Sequence, residues 1–265
     1  MPELIEVESY RRVADRLVGR TIRRAHAPDP WFCKGVEPAT LEAVLPGRTV
    51  TGARRRGKLL LVDTDGPVLG LRFGMTGRLL VDGAGPIERL EYSSARDDPA
   101  WHRFALDLVD GGRMAVVDPR RLGGVELDPD EERLGPDAAS IGRAALRDVL
   151  ARSRAPLKAR LLDQARVAGV GNLICDEALW RAGLDPAREA GSLTPAEVTR
   201  LHRHLRRTFD LLSERGGSHT GDLQAERTRS GVCPRCGTPL LRRTVGGRTT
   251  FSCPRHQPAA GPVGV

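Results

Sequence analysis

The first residues of the chain could supply an amine nucleophile beside a carboxylate. Met1 is followed by Pro2 and Glu3, and removal of the initiator methionine would leave Pro2 with a free secondary amine. An α-amine titrates at about 8, against about 10.4 for a lysine side chain, so more of it is unprotonated and nucleophilic at neutral pH. The start of the chain therefore predicts amine chemistry or, in a simpler interpretation, acidic residues that stabilise a helix amino terminus.

A second group of residues, near the other end of the chain, has the spacing of a metal site. Cys233 and Cys236 enclose two residues, and Cys253 and His256 repeat this spacing. Three thiolates and one imidazole suit zinc, and a site closed by four protein ligands is structural rather than catalytic. The pattern predicts one structural zinc ion in a ribbon that turns at residues 245–248. The alternative is a set of unpaired thiols in a disordered tail.

Positive charge suggests the kind of partner. The formal net charge is +8 and the isoelectric point is about 9.9, which favours a polyanion and first of all nucleic acid. Seven arginines and no acidic residue lie between residues 227 and 256. The ribbon is therefore predicted to contact nucleic acid, although a charge run can also be a solvated surface. Lysine is rare, so Lys58 and Lys158 are candidates for roles that need an ammonium group.

The length and composition of the chain limit its class. A chain of 265 residues can form two or three domains. The sequence has no apolar run that could span a bilayer and no secretory leader, so the expectation is a soluble, cytoplasmic protein. Five cysteines in a chain of this length do not indicate a disulfide framework.

The residues that could do chemistry must be positioned by two different kinds of structure. Apolar residues at helical spacing predict a helix from about Ile5 to Leu17. Between residues 21 and 127, short β-branched and leucine-rich runs alternate with Asp-Gly turns, which favours an antiparallel sandwich or barrel over a doubly wound sheet. The clearest predicted strands are 59–62, 68–73, 104–109 and 114–117.

The second half of the chain is predicted to be helical. An acidic segment with Gly135-Pro136 close behind it indicates a linker. The predicted helices are 141–151, 157–165, 172–182 and 195–213. The resulting expectation for the domains is 1–127 for a β-sandwich domain, 128–140 for the linker, 141–226 for a helical domain, 227–257 for the zinc finger and 258–265 for a tail.

A glycine-rich turn precedes one of these helices. Gly169 and Gly171 lead directly into Asn172, where backbone N–H groups at a helix start could bind a phosphate. Paired glycines also make tight turns between helices. The pattern alone leaves both interpretations open.

Four separated motifs together resemble the formamidopyrimidine-DNA glycosylase and endonuclease VIII family. They are the Pro-Glu-Leu-Ile-Glu-Val-Glu start, the strand-rich domain, the helical run 161–183 and the terminal finger containing Arg248-Thr249-Thr250-Phe251. The resemblance implies an α+β multidomain fold with an amino-terminal helix and antiparallel β-sandwich, a helix–two-turn–helix module and a zinc-ribbon hairpin. It also implies a monomeric, bifunctional DNA glycosylase and AP lyase that acts in base-excision repair on double-stranded DNA with a damaged base or abasic site.

The resemblance implies catalytic roles for individual residues. Pro2 matches the nucleophile whose amine attacks C1′ of the damaged nucleotide, expels the base and forms a Schiff base that breaks the strand by β,δ-elimination. Glu3 matches the acid that assists opening of the sugar ring, and Glu6 matches a second carboxylate of that site. Lys58 matches the lysine that contacts phosphate and donates a proton.

The resemblance also implies DNA contacts. Lys158 and Asn172 match phosphate contacts in the helical module, and Arg248 matches the finger arginine that binds the phosphates of the flipped nucleotide. Met75 and Arg120 match residues that fill the hole left by the extruded base. Base chemistry inside a duplex requires such extrusion, and an inserted side chain recovers part of its free-energy cost.

The sequence departs from the family pattern at four places. Ile5 stands where the family usually has proline, Leu122 stands where enzymes for oxidised purines place a phenylalanine wedge, and His256 replaces a cysteine. The segment 217–233 is short and lacks much of the loop that covers flipped 8-oxoguanine. These changes leave two alternatives: a preference for oxidised pyrimidines, abasic sites or bulky adducts, and a catalytically silent or lyase-only paralogue that binds damaged DNA.

Overall fold

The computed structural model describes residues 2–87 and 98–259. The chain forms two compact units, Met1–Glu131 and Glu132–Val265. Of the tail expected at 258–265, residues 260–265 lie outside the described residues, as does Met1. The finer division into sandwich, linker, helical domain and zinc finger stays a prediction.

The described part of the first unit is built from antiparallel strands and two α-helices. One four-stranded sheet has the order β1-β6-β7-β5 and the other has the order β2-β3-β4-β8. The elements are α1 (Leu4–Ala14), β1 (Ile22–His26), α2 (Pro38–Val44), β2 (Val50–Arg56), β3 (Leu59–Thr64), β4 (Leu69–Arg72), β5 (Arg78–Val81), β6 (His102–Leu108), β7 (Arg113–Val117) and β8 (Gly124–Leu127).

Both sheets contribute to one hydrophobic core, as the predicted sandwich requires. Alternate residues of a strand lie on the same face, so Leu60 and Val62 of β3 enter the core together, as do Leu106 and Leu108 of β6. Helix α1 joins this core through Tyr10. Burial of these side chains supplies about 1.5–3 kcal/mol each and fixes α1 against the sheets.

Two elements of the first unit differ from the sequence expectation. The predicted helix to Leu17 ends as an α-helix at Ala14 and continues as a 3-10 turn, Asp15–Leu17. Helix α2 was not predicted, although Pro38 occupies its first turn, where the missing N–H costs nothing. Its seven residues are too few for a clear apolar repeat, and it is held by a Glu42 carboxylate that accepts a hydrogen bond from Ala27 N at 3.0 Å.

The second unit contains four α-helices and a β-hairpin within its described part. They are α3 (Arg143–Leu150), α4 (Leu157–Leu162), α5 (Asn172–Ala182), α6 (Pro195–Glu214), β9 (Leu241–Val245) and β10 (Arg248–Ser252). Helix α6 starts with the predicted capping box, in which Glu197 N donates to Thr194 Oγ1 and Thr194 N donates to Glu197 Oε2. Helix α5 ends at Gly183, whose φ of 64° is the left-handed conformation that terminates helices.

The β9–β10 hairpin turns through Gly246 and Gly247, both at positive φ. A Cβ at Gly246 would lie only 2.7 Å from the Cβ of Ala159 in α4, so the hairpin tip packs against this helix without room for a side chain. Within residues 2–87 and 98–259, no helix has the length and apolar character that crossing a bilayer requires.

Candidate active site and metal centre

The amino terminus of α1 carries two buried carboxylates. Pro2 precedes Glu3, the N-cap residue of the helix, and is buried, as are Glu3 and Glu6, which are 0% and 4% exposed. Glu6 Oε2 accepts a hydrogen bond from Glu3 N at 2.8 Å and so caps the helix. The simpler interpretation of the acidic residues therefore holds for Glu6. The same bond fixes the backbone of Glu3 beside Pro2, the candidate nucleophile.

The turn that carries Lys58 is tied to α1. Gly57 adopts a φ of 59° in the turn between β2 and β3, and Arg55 Nη1 donates to its carbonyl oxygen at 2.9 Å. The Nε of Arg55 donates to Glu8 Oε2 of α1 at 3.2 Å. One guanidinium therefore holds the turn and the helix together, which positions the half-buried Lys58 relative to Pro2.

A second turn, residues 74–77, is also attached to α1. The hydroxyl of Tyr10 donates to Gly77 O at 3.1 Å, and the Tyr10 ring packs on Phe73 with centroids 4.4 Å apart. Burial raises the pKa of Tyr10 well above its usual range, and the charge of Glu6 raises it further. Tyr10 thus stays a neutral hydrogen-bond donor and holds the turn that carries Met75.

Met75 and Arg120 contact each other. Arg120 is exposed, Met75 is half-buried, and Nη1 of the arginine lies 3.7 Å from the methionine sulfur. Leu122 follows two residues later and is 49% exposed. In the first unit, Pro2 and the carboxylates lie at the start of α1, and hydrogen bonds tie the turns that carry Lys58 and Met75 to this helix. Arg120 in turn contacts Met75.

Lys158 is enclosed by the second unit. It is 0% exposed, and its Nζ donates to Asp176 Oδ1 at 2.6 Å, to Thr250 Oγ1 at 2.9 Å and to Thr249 O at 3.2 Å. This placement differs from the direct phosphate contact that the sequence led us to expect. A buried ammonium needs such a set of partners, because an unpaired one would be strongly destabilising.

Asn172 and Arg248 both adjoin Thr249. Asn172 starts α5 and its Nδ2 donates to Thr249 O at 3.2 Å, the same oxygen that accepts from Lys158. Arg248 begins β10 next to Thr249 and is exposed. The second unit therefore groups all three of its expected DNA-binding residues, with Lys158 beneath and Arg248 at the surface.

The basic ribbon offers fewer free cations than the sequence suggested. Arg227 pairs with Asp176, Arg243 pairs with Asp185, and the Arg235 guanidinium lies 4.1 Å from the Trp180 ring centroid. These three arginines stabilise the unit. The exposed arginines of the segment are Arg229, Arg235, Arg242, Arg248 and Arg255.

The glycine-rich turn connects α4 and α5 tightly. Gly169 has a φ of 110° and its N–H donates to Gln164 Oε1 at 2.9 Å, while Gln164 Nε2 donates to Val170 O at 3.0 Å. The glycines thus serve the turn between helices, one of the two interpretations left open. Gly171 is the N-cap of α5 and places Asn172 at the first position of the helix.

The segment before the ribbon is short and well held. Glu177 of α5 accepts hydrogen bonds from Asp222 N at 3.3 Å and from Leu223 N at 2.9 Å. The Asp222 carboxylate binds Arg181 and Arg215. These bonds attach the segment to α5 and α6.

Three cysteines and a histidine converge in the ribbon. The ligand atoms of Cys233, Cys236, Cys253 and His256 all lie within 4.8 Å of one another. His256 Nε2 is buried and lacks a hydrogen-bond partner in the described part of the chain, which leaves this acceptor for an ion. Trp180 Nε1 donates to Cys233 Sγ at 3.4 Å, a bond that supports a thiolate. The cluster can hold a metal ion.

Sequence reasoning missed the residues that hold the site together. Tyr10 and Arg55 link turns to α1, and their partners lie 67 and 47 positions away in the chain. Asp176 could have been identified from the sequence, because it lies four residues after Asn172 and so on the same face of α5.

The fold and these side chains define a two-unit α+β protein with an amino-terminal helix on a β-sandwich and a helical module that carries a Cys/His hairpin. Residues 1–125 match the family model of the formamidopyrimidine-DNA glycosylase N-terminal domain, and residues 134–222 match that of the formamidopyrimidine-DNA glycosylase H2TH domain. The chain belongs to the formamidopyrimidine-DNA glycosylase family, which confirms the resemblance inferred from its motifs.

Relatives match along nearly the whole chain. A formamidopyrimidine-DNA glycosylase of Symbiobacterium thermophilum is 39% identical, with 100% of this chain and 91% of the relative covered. A solved complex between the LlFpg protein, a THF-DNA and an inhibitor has a TM-score of 0.82 at 28% identity, with 97% of this chain and 100% of that chain covered. A complex of Lactococcus lactis Fpg with DNA containing an abasic site has a TM-score of 0.81 at 27% identity and the same coverage.

Proposed function

We propose that the chain is a bifunctional DNA glycosylase and AP lyase of base-excision repair. Its substrate is double-stranded DNA with a damaged base or an abasic site, and it acts as a monomer on chromosomal DNA in the cytoplasm. Family membership and the names of the relatives support the glycosylase activity. The lyase chemistry and the residue roles below are our proposals.

The observation that carries the proposal is the convergence of reactive groups on α1. Pro2 and Glu3 lie at the buried start of this helix, and Arg55 ties the Lys58 turn to the same helix through Glu8. A non-catalytic DNA-binding paralogue would not need to enclose an amine, a carboxylate and a lysine-bearing turn in this way.

The proposed reaction begins at the amine. Pro2, freed by removal of Met1, attacks C1′ of the damaged nucleotide as the glycosidic bond breaks and the base leaves. Glu3 assists opening of the sugar ring, which converts the adduct to a Schiff base. Lys58 binds the neighbouring phosphate and donates a proton. Successive loss of the 3′ and 5′ phosphates by β,δ-elimination then releases the sugar, and hydrolysis frees Pro2.

Glu6 has a supporting part in this proposal. Its carboxylate is occupied by Glu3 N, so it holds the carboxylate-bearing residue and the adjacent amine in place. We assign Glu6 to positioning within the catalytic site.

In the second unit, Asn172 and Arg248 are the proposed phosphate ligands. Arg248 is exposed and can form bidentate contacts with phosphate oxygens. Lys158 has an indirect role. It donates to the same Thr249 carbonyl oxygen as Asn172 and so helps to hold the hairpin against α5.

The proposed ion of the ribbon is zinc, one per chain. Zinc–sulfur bonds of about 2.3 Å in a tetrahedron place two sulfurs about 3.8 Å apart. The Sγ atoms of Cys236 and Cys253 are 3.7 Å apart. Cys233 and His256 complete the donor set, and the role of the ion is to fix the hairpin that carries Arg248.

A panel of duplexes tests the proposed function. Each duplex carries one lesion: 8-oxoguanine, a formamidopyrimidine, an oxidised pyrimidine or an abasic site. We expect base release and strand cleavage on at least one base lesion, together with β,δ-elimination of the abasic site. Binding to all duplexes without cleavage of any would instead support the silent paralogue, and cleavage of the abasic duplex alone would support the lyase-only one.

A preference for lesions other than 8-oxoguanine is the second candidate. Leu122 offers a smaller wedge than phenylalanine, and the short segment around Asp222 and Leu223 is held against α5 by Glu177. These features favour oxidised pyrimidines, abasic sites or bulky adducts. A panel in which 8-oxoguanine is released fastest would contradict this candidate and leave the glycosylase assignment intact.

Replacing Arg248 by alanine is expected to weaken binding of abasic duplex about tenfold, because one phosphate contact is lost. The slope of log K against log salt concentration should fall in magnitude by about 0.9. Fluorescence anisotropy at several salt concentrations measures both quantities.

Arg242→Ala is the matched control, since it removes an exposed arginine from the neighbouring strand of the same hairpin. We expect it to change affinity much less than the loss of Arg248. Equal effects of the two variants would mean that Arg248 contributes only general positive charge.

A further inference from the structure

The carboxylate of Asp118 occupies the centre of a small buried network. The residue is 0% exposed and has no role in the chemistry proposed above. Its Oδ2 accepts from Leu122 N at 2.9 Å and Gly123 N at 2.8 Å, and its Oδ1 accepts from Arg120 N at 3.2 Å. Asp118 therefore shapes the loop in which Arg120 and Leu122 lie.

The same carboxylate reaches across to a second turn. Thr76 Oγ1 donates to Asp118 Oδ1 at 2.5 Å, a short bond between two fully buried side chains. Thr76 directly follows Met75 in the chain. A single side chain thus joins the turn that carries Met75 to the loop that carries Arg120 and Leu122.

The two segments are also in backbone contact. Gly74 has a φ of 54°, and a Cβ placed there would lie 2.4 Å from the carbonyl carbon of Leu122. The turn and the loop therefore pack without an intervening side chain. Such packing leaves little room for one segment to move without the other.

An ion pair between the exposed Arg121 and the buried Asp29 holds the loop from its other side. Arg121 has a φ of 56°, which is costly for a residue with a side chain, and its guanidinium binds both oxygens of Asp29 at 2.7 and 2.5 Å. Burial alone would raise the pKa of Asp29, but the bond to Arg121 holds this pKa below its usual range. Arg103 Nε adds a bond to Asp118 O at 2.8 Å.

From this geometry we propose that Asp118 is a positioning residue that assembles Met75, Arg120 and Leu122 into one rigid insertion unit before DNA binds. The inference rests on the proposed glycosylase function, in which these side chains fill the space left by the extruded base. A preformed unit enters the base stack without first having to be ordered, so less of the binding free energy is lost on ordering.

Two steps of the proposed reaction should depend differently on the insertion unit. Extrusion of a damaged base costs a few kcal/mol and depends on the inserting side chains. Schiff-base formation at an abasic site has no base to extrude and depends on Pro2 and Lys58. Loosening the insertion unit should therefore slow release of a damaged base while largely sparing cleavage of a preformed abasic site.

Thr76→Val is the sharpest test, because it removes the cross-link between the two segments and leaves Asp118 bonded to its own loop. We expect single-turnover release of a damaged base to slow about tenfold, the effect of one lost buried hydrogen bond. The base lesion is the one that the wild-type protein cleaves fastest in the panel. Cleavage of a preformed abasic duplex should change less than about twofold. The ratio of the two rates is the readout, since a general structural defect would lower both rates together.

Asp118→Asn is the second variant. Its carboxamide has one accepting oxygen, and the NH2 group would face N–H groups that the carboxylate accepts from. It should change the same ratio by more than Thr76→Val. If this variant fails to fold, Thr76→Val alone decides the inference.

Thr64→Val is the matched control. Thr64 Oγ1 donates to Pro67 O at 2.7 Å and accepts from Gly66 N at 3.0 Å, so it also stabilises a turn of the first unit. We expect it to leave the ratio unchanged. An unchanged ratio in Thr76→Val, with an active wild-type protein, would overturn the positioning role. A wild-type protein that cleaves neither substrate would instead refute the proposed function itself.

Discussion

Blocking the Pro2 amine is expected to abolish strand cleavage. A chain that retains Met1 carries an amide nitrogen at Pro2, which has no available lone pair for attack on C1′, so cleavage of an abasic duplex should fall at least about a thousandfold. The chain has no lysine before Lys34, so α1 itself supplies no side-chain amine to replace Pro2. Single-turnover cleavage measured on denaturing gels, with the amino terminus verified by mass spectrometry, gives the result.

Two variants make this experiment specific. Pro2→Gly keeps an amine but loses the ring that holds it in place, and we expect it to be nearly inactive as well. Arg12→Ala changes an exposed residue on the same helix and should cleave at the wild-type rate. Cleavage at the wild-type rate by the chain that retains Met1 would remove Pro2 from the mechanism.

Replacing Cys253 by serine is expected to lose the zinc ion and to weaken DNA binding at least about a hundredfold. Cys253 is 0% exposed and its sulfur lies beside that of Cys236. Without the proposed ion, the hairpin loses the coordination bonds that join its two ends, so the position of Arg248 at the start of β10 is less well fixed. Metal analysis of the purified chain and binding of abasic duplex measure the two effects.

Cys175→Ser is the matched control for this variant. Cys175 is also fully buried in the second unit but lies in α5, outside the Cys/His cluster. It should retain one zinc ion per chain. If the Cys253→Ser chain also contained one zinc ion, the proposed ligand set would be wrong.

Local sequence patterns were sufficient to predict the helices whose ends are marked by glycines or by a capping box. Helix α5 was predicted at 172–182 and is found at Asn172–Ala182, because Gly171 and Gly183 set its two ends. Helix α6 was predicted at 195–213 from its capping box and extends one residue further, to Glu214. Helix α2 was missed because its seven residues give no repeated apolar pattern and its position depends on a contact with Ala27.

The types of the site residues were predictable, whereas their partners were not. The rarity of lysine singled out Lys158, but its exclusion from solvent depends on Asp176 and on Thr250, which is 92 positions away. The charge of the ribbon was clear from the sequence, yet Arg227 and Arg243 are used in ion pairs within the unit. Long-range pairing decides whether a charged side chain faces DNA or the protein interior, and a linear pattern does not contain this information.

The most direct test of the central claim is to trap the covalent intermediate. Borohydride reduces a Schiff base to a stable amine, so incubation with an abasic duplex and borohydride should link the chain to DNA. Digestion and mass spectrometry are expected to place the adduct on the peptide that begins with Pro2. An adduct on Lys58 instead, or no adduct with a duplex that the chain binds, would contradict the account.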